Sequence, residues 1–231
     1  PDSSESSFPG TLRNGTTGTL YITKNGDGTQ ILTGNFNSYS GDTLITAGTL
    51  LVNNTSGSAT GSGSVEVGAG GTLGGNGIIA PGAGNDITVH GILSPGNDDG
   101  GTLRLNLSGA SKLEFTAGST IKLALATASD FIAFTTAGDW LSGSGTVTLE
   151  LSLGSGFDYS GTYNVFTNVT TTGFTVAAVT GFDTENYTPV FVQEGSNYVL
   201  KFTAVPEPGI LGLAVFAVAG GILTRRIPRK L

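Results

Sequence analysis

The sequence predicts an all-β chain built as a parallel β-helix, a β-solenoid, carrying one apolar helix at its C-terminus; an antiparallel β-sandwich or barrel is the alternative. Three observations carry this expectation. Of 231 residues, 38 are glycine and only 12% are charged. Average glycine usage is about 7%, and glycine costs roughly 1 kcal/mol against alanine inside a helix, whereas the abundant Thr, Val and Ile favour strands. Short alternating strands recur at a spacing of about 22 residues, each followed by a glycine and another apolar residue. A single uncharged apolar run, 209–224, stands just before a cluster of basic residues.

Residues 1–19 read as an N-terminal extension or the start of a fragment. The opening Pro1-Asp2-Ser3-Ser4 has no basic, apolar leader and the chain has no methionine, so a signal peptide is expected to have been removed or to lie upstream. Residues 20–123 hold the repeats: TLITAGTLLV (43–52), SVEVGAGGTLGG (64–75), DITVHGILSPG (86–96) and KLEFTAGSTIKL (112–123). Ile45, Val67, Val89 and Phe115 occupy equivalent places, and Ile22 in TLYITKNGDG extends the series backwards. One unit has too few residues to bury an apolar face by itself, so stacking must supply the core. Ile45, Leu50, Val67, Leu73, Val89 and Leu93 are expected to point inward as ladders, with the intervening Thr, Asn and Asp in water. Turn-bounded short strands also suit a sandwich or barrel, which keeps the alternative open.

From Leu20 to Val52 the chain resembles the autotransporter-associated β-strand repeat, also called the passenger-associated transport repeat. The resemblance rests on Lys24, Gly26, Gly28, Thr29, Leu32, Gly34, Asn35, Tyr39, Gly41, Thr43, Ile45, Gly48, Thr49, Leu50 and Val52. It implies a right-handed β-helical stalk on a cell surface. Where classical autotransporters carry a C-terminal translocator barrel, a sorting tail is expected here instead. Residues 124–205 read as a β-rich continuation or cap, a separate small sandwich being the competing reading. Strands such as GTVTLELSL and NYVLKFTAV persist there while aromatic content rises, which suits bulky side chains that plug a last rung and shield its edge.

Residues 206–231 form the tail. A helix over 209–224 spans about 24 Å at roughly 1.5 Å per residue, short of the usual bilayer requirement of about 20 residues. Val205 and the snorkelling stems of Arg225 and Arg226 extend it. Arg225, Arg226, Arg229 and Lys230 fix the orientation by the positive-inside rule, placing residues 1–205 on the extracytoplasmic side. Pro206 and Pro208 block helix propagation backwards and hold an extended, accessible segment. A buried C-terminal core helix is the bland alternative, disfavoured because the run is apolar on every face. Together, Pro-Glu-Pro, the apolar span and the terminal arginines resemble the PEP-CTERM sorting signal of Gram-negative bacteria. The resemblance implies recognition of Pro206, Glu207 and Pro208 by exosortase, a membrane cysteine protease or transpeptidase, with Arg225 and Arg226 as stop-transfer charges. It further implies transient residence in the inner membrane, delivery to the outer surface or matrix, and exopolysaccharide or biofilm association.

Chemistry is sparse in the remainder. Cysteine is absent and His90 is the one histidine, so neither a thiolate site nor a nucleophilic triad is expected; His90 reads as a turn residue. Asn25-Gly26-Asp27-Gly28 and Asn97-Asp98-Asp99-Gly100 match no complete calcium loop and read as hydrated turns. Asp86, Asp98 and Glu114 fall at different register positions, unlike the convergent carboxylates of a glycosidase. Gly26-Asp27-Gly28 and Gly61-Ser62-Gly63 lack the following helix that a phosphate loop needs. Sequons such as Asn54-Thr55-Ser56 are read as chance in a Thr-rich chain. A net charge of −7, with six scattered basic residues before position 205, excludes nucleic acid as an expected partner. The expectation is a non-enzymatic exported surface or matrix protein, structural or adhesive, without metal or cofactor. The alternatives are a polysaccharide-active enzyme on the same scaffold, or a polysaccharide-binding module that stacks Tyr39, Trp140 or Tyr159 on sugar rings.

Overall fold

The structure, a computed structural model, describes residues 4–96, 100–143, 145–170 and 174–206. Its strands wind into a parallel β-solenoid of about six turns with three faces. The first face stacks β2 (Ile22–Lys24), the first half of β4 (Thr43–Val52), the first half of β5 (Val65–Gly75), β7 (Ile87–Val89), β10 (Leu113–Phe115) and β13 (Leu141–Ser142). The second face stacks β1 (Glu5–Phe8), β3 (Thr29–Leu32), the second halves of β4 and β5, β8 (Ile92–Pro95), β11 (Thr120–Leu125), β14 (Thr146–Leu153) and β16 (Thr175–Thr180). The third carries β6 (Ile78–Ile79), β9 (Thr102–Leu105), β12 (Phe131–Gly138) and β15 (Tyr163–Val169), and is extended by β18 (Asn197–Ala204) and β17 (Tyr187–Glu194). Every pairing from β1 to β16 is parallel; β15–β18 and β17–β18 are antiparallel. That parallel pattern selects the solenoid over the sandwich.

The repeat alignment survives in the register. Ile45, Val67, Val89 and Phe115 are consecutive partners on the first face, and Leu50, Leu73 and Leu93 on the second. All seven are essentially inaccessible to solvent. Alternation explains why, since each buried position is flanked by residues that point out of the pleat. Ile22 departs from expectation: it pairs with Thr43, and Lys24 takes the place beside Ile45. A lysine is tolerated at this first rung because its ammonium donates to the carbonyls of Asn25 (3.3 Å), Gly26 (2.7 Å) and Ala47 (3.0 Å).

Polar corners tie each rung to the next. The Asp42 carboxylate accepts the Ser64 N–H 22 residues on (2.9 Å), and Asp86 accepts the Lys112 N–H 26 residues on (2.8 Å). Buried Asn37 accepts the Leu12 N–H (2.8 Å) and donates to the Ala59 carbonyl (2.6 Å), so one side chain joins three rungs. Asn54, expected to be an incidental sequon residue, is buried: it accepts the Ile78 N–H and donates to the Ser56 and Gly57 carbonyls. Later rungs are longer, the inter-rung step reaching 34 residues between Ile132 and Phe166. They also enclose larger side chains, Phe115, Phe134 and Phe166, which need a wider cross-section.

Towards the C-terminal end, Phe115, Phe166 and Phe174 meet edge to face, and Phe174 continues to Phe191 and Tyr198. The β17–β18 hairpin lies along β15. Pro189 sits in β17, the outermost strand of that sheet, where a missing N–H costs no ladder bond. No helix among the described residues is long and apolar enough to cross a membrane; the span expected at 209–224 lies outside them.

Candidate functional site

Chain direction and pleat place a regular surface on the second face. Its inward residues, Leu50, Leu73, Leu93, Ile121 and Leu149, fill the core. The residue before each therefore points outward, and these form one axial ladder: Glu5, Thr29, Thr49, Thr72, Ile92, Thr120 and Thr148. Beside it runs Ser7, Ile31, Leu51, Gly74 and Ser94. Glu5, Thr29, Thr49 and Thr72 of the first ladder and Ile31, Leu51 and Ser94 of the second line a shallow groove of about 410 Å³ with Asn53 and Gly96. It meets, at Ser94, a second hollow of about 220 Å³ around Lys122 and Glu150, which pair at 3.1 Å. From Thr29 to Ser94 the floor is uncharged. Sequence reasoning missed this ladder, although the signal was present in the alignment that located the core: Gly48-Thr49-Leu50, Gly71-Thr72-Leu73 and Ser119-Thr120-Ile121 carry the threonine at one fixed place.

The residues weighed for chemistry are scattered. His90 lies exposed in the turn between β7 and β8, its Nδ1 3.0 Å from the Thr116 hydroxyl and its Nε2 3.9 Å from Glu66. Glu66 and Glu114 face outward on the first face with Thr88 between them; the Glu66 side chain is 57% exposed. Asp86 is engaged in its corner, and Asp98 lies outside the described residues, as does Asn97–Asp99 of the second candidate calcium loop. In the first, the Asn25 side chain accepts the Gly26 N–H (2.8 Å), a turn closing on itself. Among the described residues no group of three or more His, Asp or Glu is placed to hold a metal ion.

The three aromatic candidates for sugar stacking fare differently. Tyr39 is removed from that set: it is wholly buried, its hydroxyl 2.6 Å from Thr43 Oγ1, and burial pushes its pKa up to about 12. The chain bends at Gly41, two residues on, before β4 begins. Trp140 is half-buried, stacked on Phe134 and donating its indole N–H to the Thr136 carbonyl (2.7 Å). Tyr159 is half-buried and lies face to face on Tyr187 at 3.8 Å; its hydroxyl accepts the Asp183 N–H.

Of the expected sorting residues, Pro206 is the last described residue of the chain. The Val205 N–H donates to Asn186 (2.8 Å), after which Pro206 is exposed; Glu207, Pro208, Arg225 and Arg226 lie outside the described residues. The chain therefore leaves the sheet at the surface, immediately before Pro206.

The family profile of the passenger-associated transport repeat matches residues 22–52. This segment runs from β2 through β4, one complete turn and the start of the next. No curated protein matches the chain. A passenger-type repeat on a parallel solenoid fits an exported protein of the surface or extracellular space.

Proposed function

We propose that this chain is a non-enzymatic, structural or adhesive surface protein whose solenoid is released to the cell exterior or its matrix through the C-terminal tail. The observation that carries the reading is the transport repeat of residues 22–52 embedded in a continuous parallel stack. By the general rule for parallel crossovers the winding is right-handed. The aromatic cluster of Phe115, Phe166, Phe174 and Phe191, with the antiparallel hairpin beside it, supports a cap that ends the stack. The non-enzymatic reading is supported by Glu66, whose side chain is 57% exposed where a glycosidase acid needs a dry pocket.

In this reading exosortase of a Gram-negative-type bacterium recognises Pro206-Glu207-Pro208 while the helix at 209–224 resides in the inner membrane and Arg225 and Arg226 hold it there. Exposure of Val205 and Pro206 supports access by a processing enzyme. The product joins exopolysaccharide or biofilm material outside. Intact mass and membrane partition in hosts with and without exosortase test this. Loss of the segment after about residue 206 in the exosortase host alone is expected; an uncleaved, membrane-bound product in both hosts overturns the sorting assignment.

A further inference from the structure

We infer that the outer groove of the second face binds an uncharged, extended polysaccharide chain lying along the solenoid axis. The inference rests on the proposed surface role and names the site and ligand class within it.

Four features of the groove point to this ligand. Parallel rungs repeat every ~4.8 Å, so Thr29, Thr49 and Thr72 in the groove, continued by Thr120 and Thr148 on the same face beyond it, form a line of hydroxyls at one or two rung spacings. That advance is close to one sugar unit of an extended glycan, which lets successive sugars meet equivalent hydroxyls. Secondly, these five hydroxyls form no hydrogen bond with any described residue. Thr46, Thr116 and Thr135, by contrast, spend theirs inside the protein, on the Lys24 carbonyl, the Val89 carbonyl and the Asn106 side chain. A free hydroxyl beside its own methyl group offers a donor, an acceptor and an apolar contact, the three things a sugar ring presents in return. Thirdly, the neighbouring Ile31 and Leu51 supply half-exposed apolar floor for the C–H faces of sugars.

Charge, the fourth, selects the class of polymer. The chain carries a net −7, the mouth of the groove begins at Glu5, and the far hollow holds Lys122 already neutralised by Glu150. An acidic polysaccharide meets like charge and no available cation, whereas a neutral one loses nothing. From β1 to β14 the face is seven strands deep, about 29 Å at the rung spacing, enough for several consecutive sugars.

The test uses the full chain in native affinity electrophoresis through gels containing hydroxyethyl cellulose, xyloglucan, glucomannan or galactomannan, against alginate and a polymer-free gel. Retardation by at least one neutral glycan and none by alginate is expected. The triple variant Thr49→Val, Thr72→Val, Thr120→Val keeps shape and strand preference while removing three hydroxyls, and should bind at least about tenfold more weakly. Thr88→Val on the first face should bind as wild type, and circular dichroism checks that each variant is folded. No retardation by any of the four neutral glycans, stronger retardation by alginate, or unchanged binding by the triple variant overturns the assignment. So does glycan-free self-association that the triple variant abolishes, which would give the face to a second copy. None of these outcomes bears on tail cleavage, so failure here and failure of the sorting assignment are separable.

Discussion

Leu73→Ala is the sharpest probe of the stacking. Leu73 is fully buried between Leu50 of the preceding rung and Leu93 of the following one, so truncation opens a cavity with apolar neighbours on both sides. Leucine-to-alanine changes in such cores cost about 2–5 kcal/mol. Taking about 3 kcal/mol and a urea slope of roughly 2 kcal/mol/M, the unfolding midpoint should fall by about 1.5 M. Its neighbour Thr72 points out of the same strand, so Thr72→Ala should cost under about 1 kcal/mol. Urea titration followed by circular dichroism and by the fluorescence of Trp140, the one tryptophan, gives a second reading. Trp140 immediately precedes β13, three rungs on from β5 through β7 and β10. A stack that unfolds as a unit shows coincident shifts in both signals. Equal costs at Thr72 and Leu73, or a loss below about 1 kcal/mol at Leu73, would refute the inward–outward assignment on which the groove also depends.

Two further perturbations test the interior polar groups. Tyr39 has its pKa raised from 10.0 to about 12; the folded state then holds a proton that the unfolded state releases between those values. Its contribution is therefore complete below pH 10 and declines as pH rises towards 12, by about 3 kcal/mol over the interval. Ultraviolet titration of tyrosinate, with Tyr39→Phe as control, checks both the late-titrating ring and the missing stability loss. Asn37→Ala removes bonds to Leu12 and Ala59 at once and should cost about 2–4 kcal/mol, read by chemical denaturation and by faster amide exchange at Leu12; a change under about 1 kcal/mol would show that water replaces the side chain.

The fold class and the inward ladder were legible in the order of residues because a solenoid writes its contacts as sequence period. Ile45, Val67 and Val89 are spaced as they are because each must land on its predecessor. Where the period breaks, sequence failed for a physical reason. Lys24 occupies an apolar register position because carbonyls from its own turn and the next rung converge on its ammonium, and no pattern of side chains announces a convergence of backbone oxygens. Tyr39 looked available for a ligand, yet whether a ring at a corner is buried depends on how the stacked rungs close around it, which residue order does not display. Asn54 looked incidental and is a three-way corner tie. The tail's Pro206, Glu207, Pro208, Arg225 and Arg226 remain a reading of residue order. By itself the sequence determined that the chain is β-rich, repetitive, acidic and poor in catalytic side chains, because composition and period act locally. The threonine recurs at one place in the aligned repeats, but only the tertiary structure decided that five of them, from five different rungs, stand in one uncharged line, because that line exists only once the rungs are stacked in register.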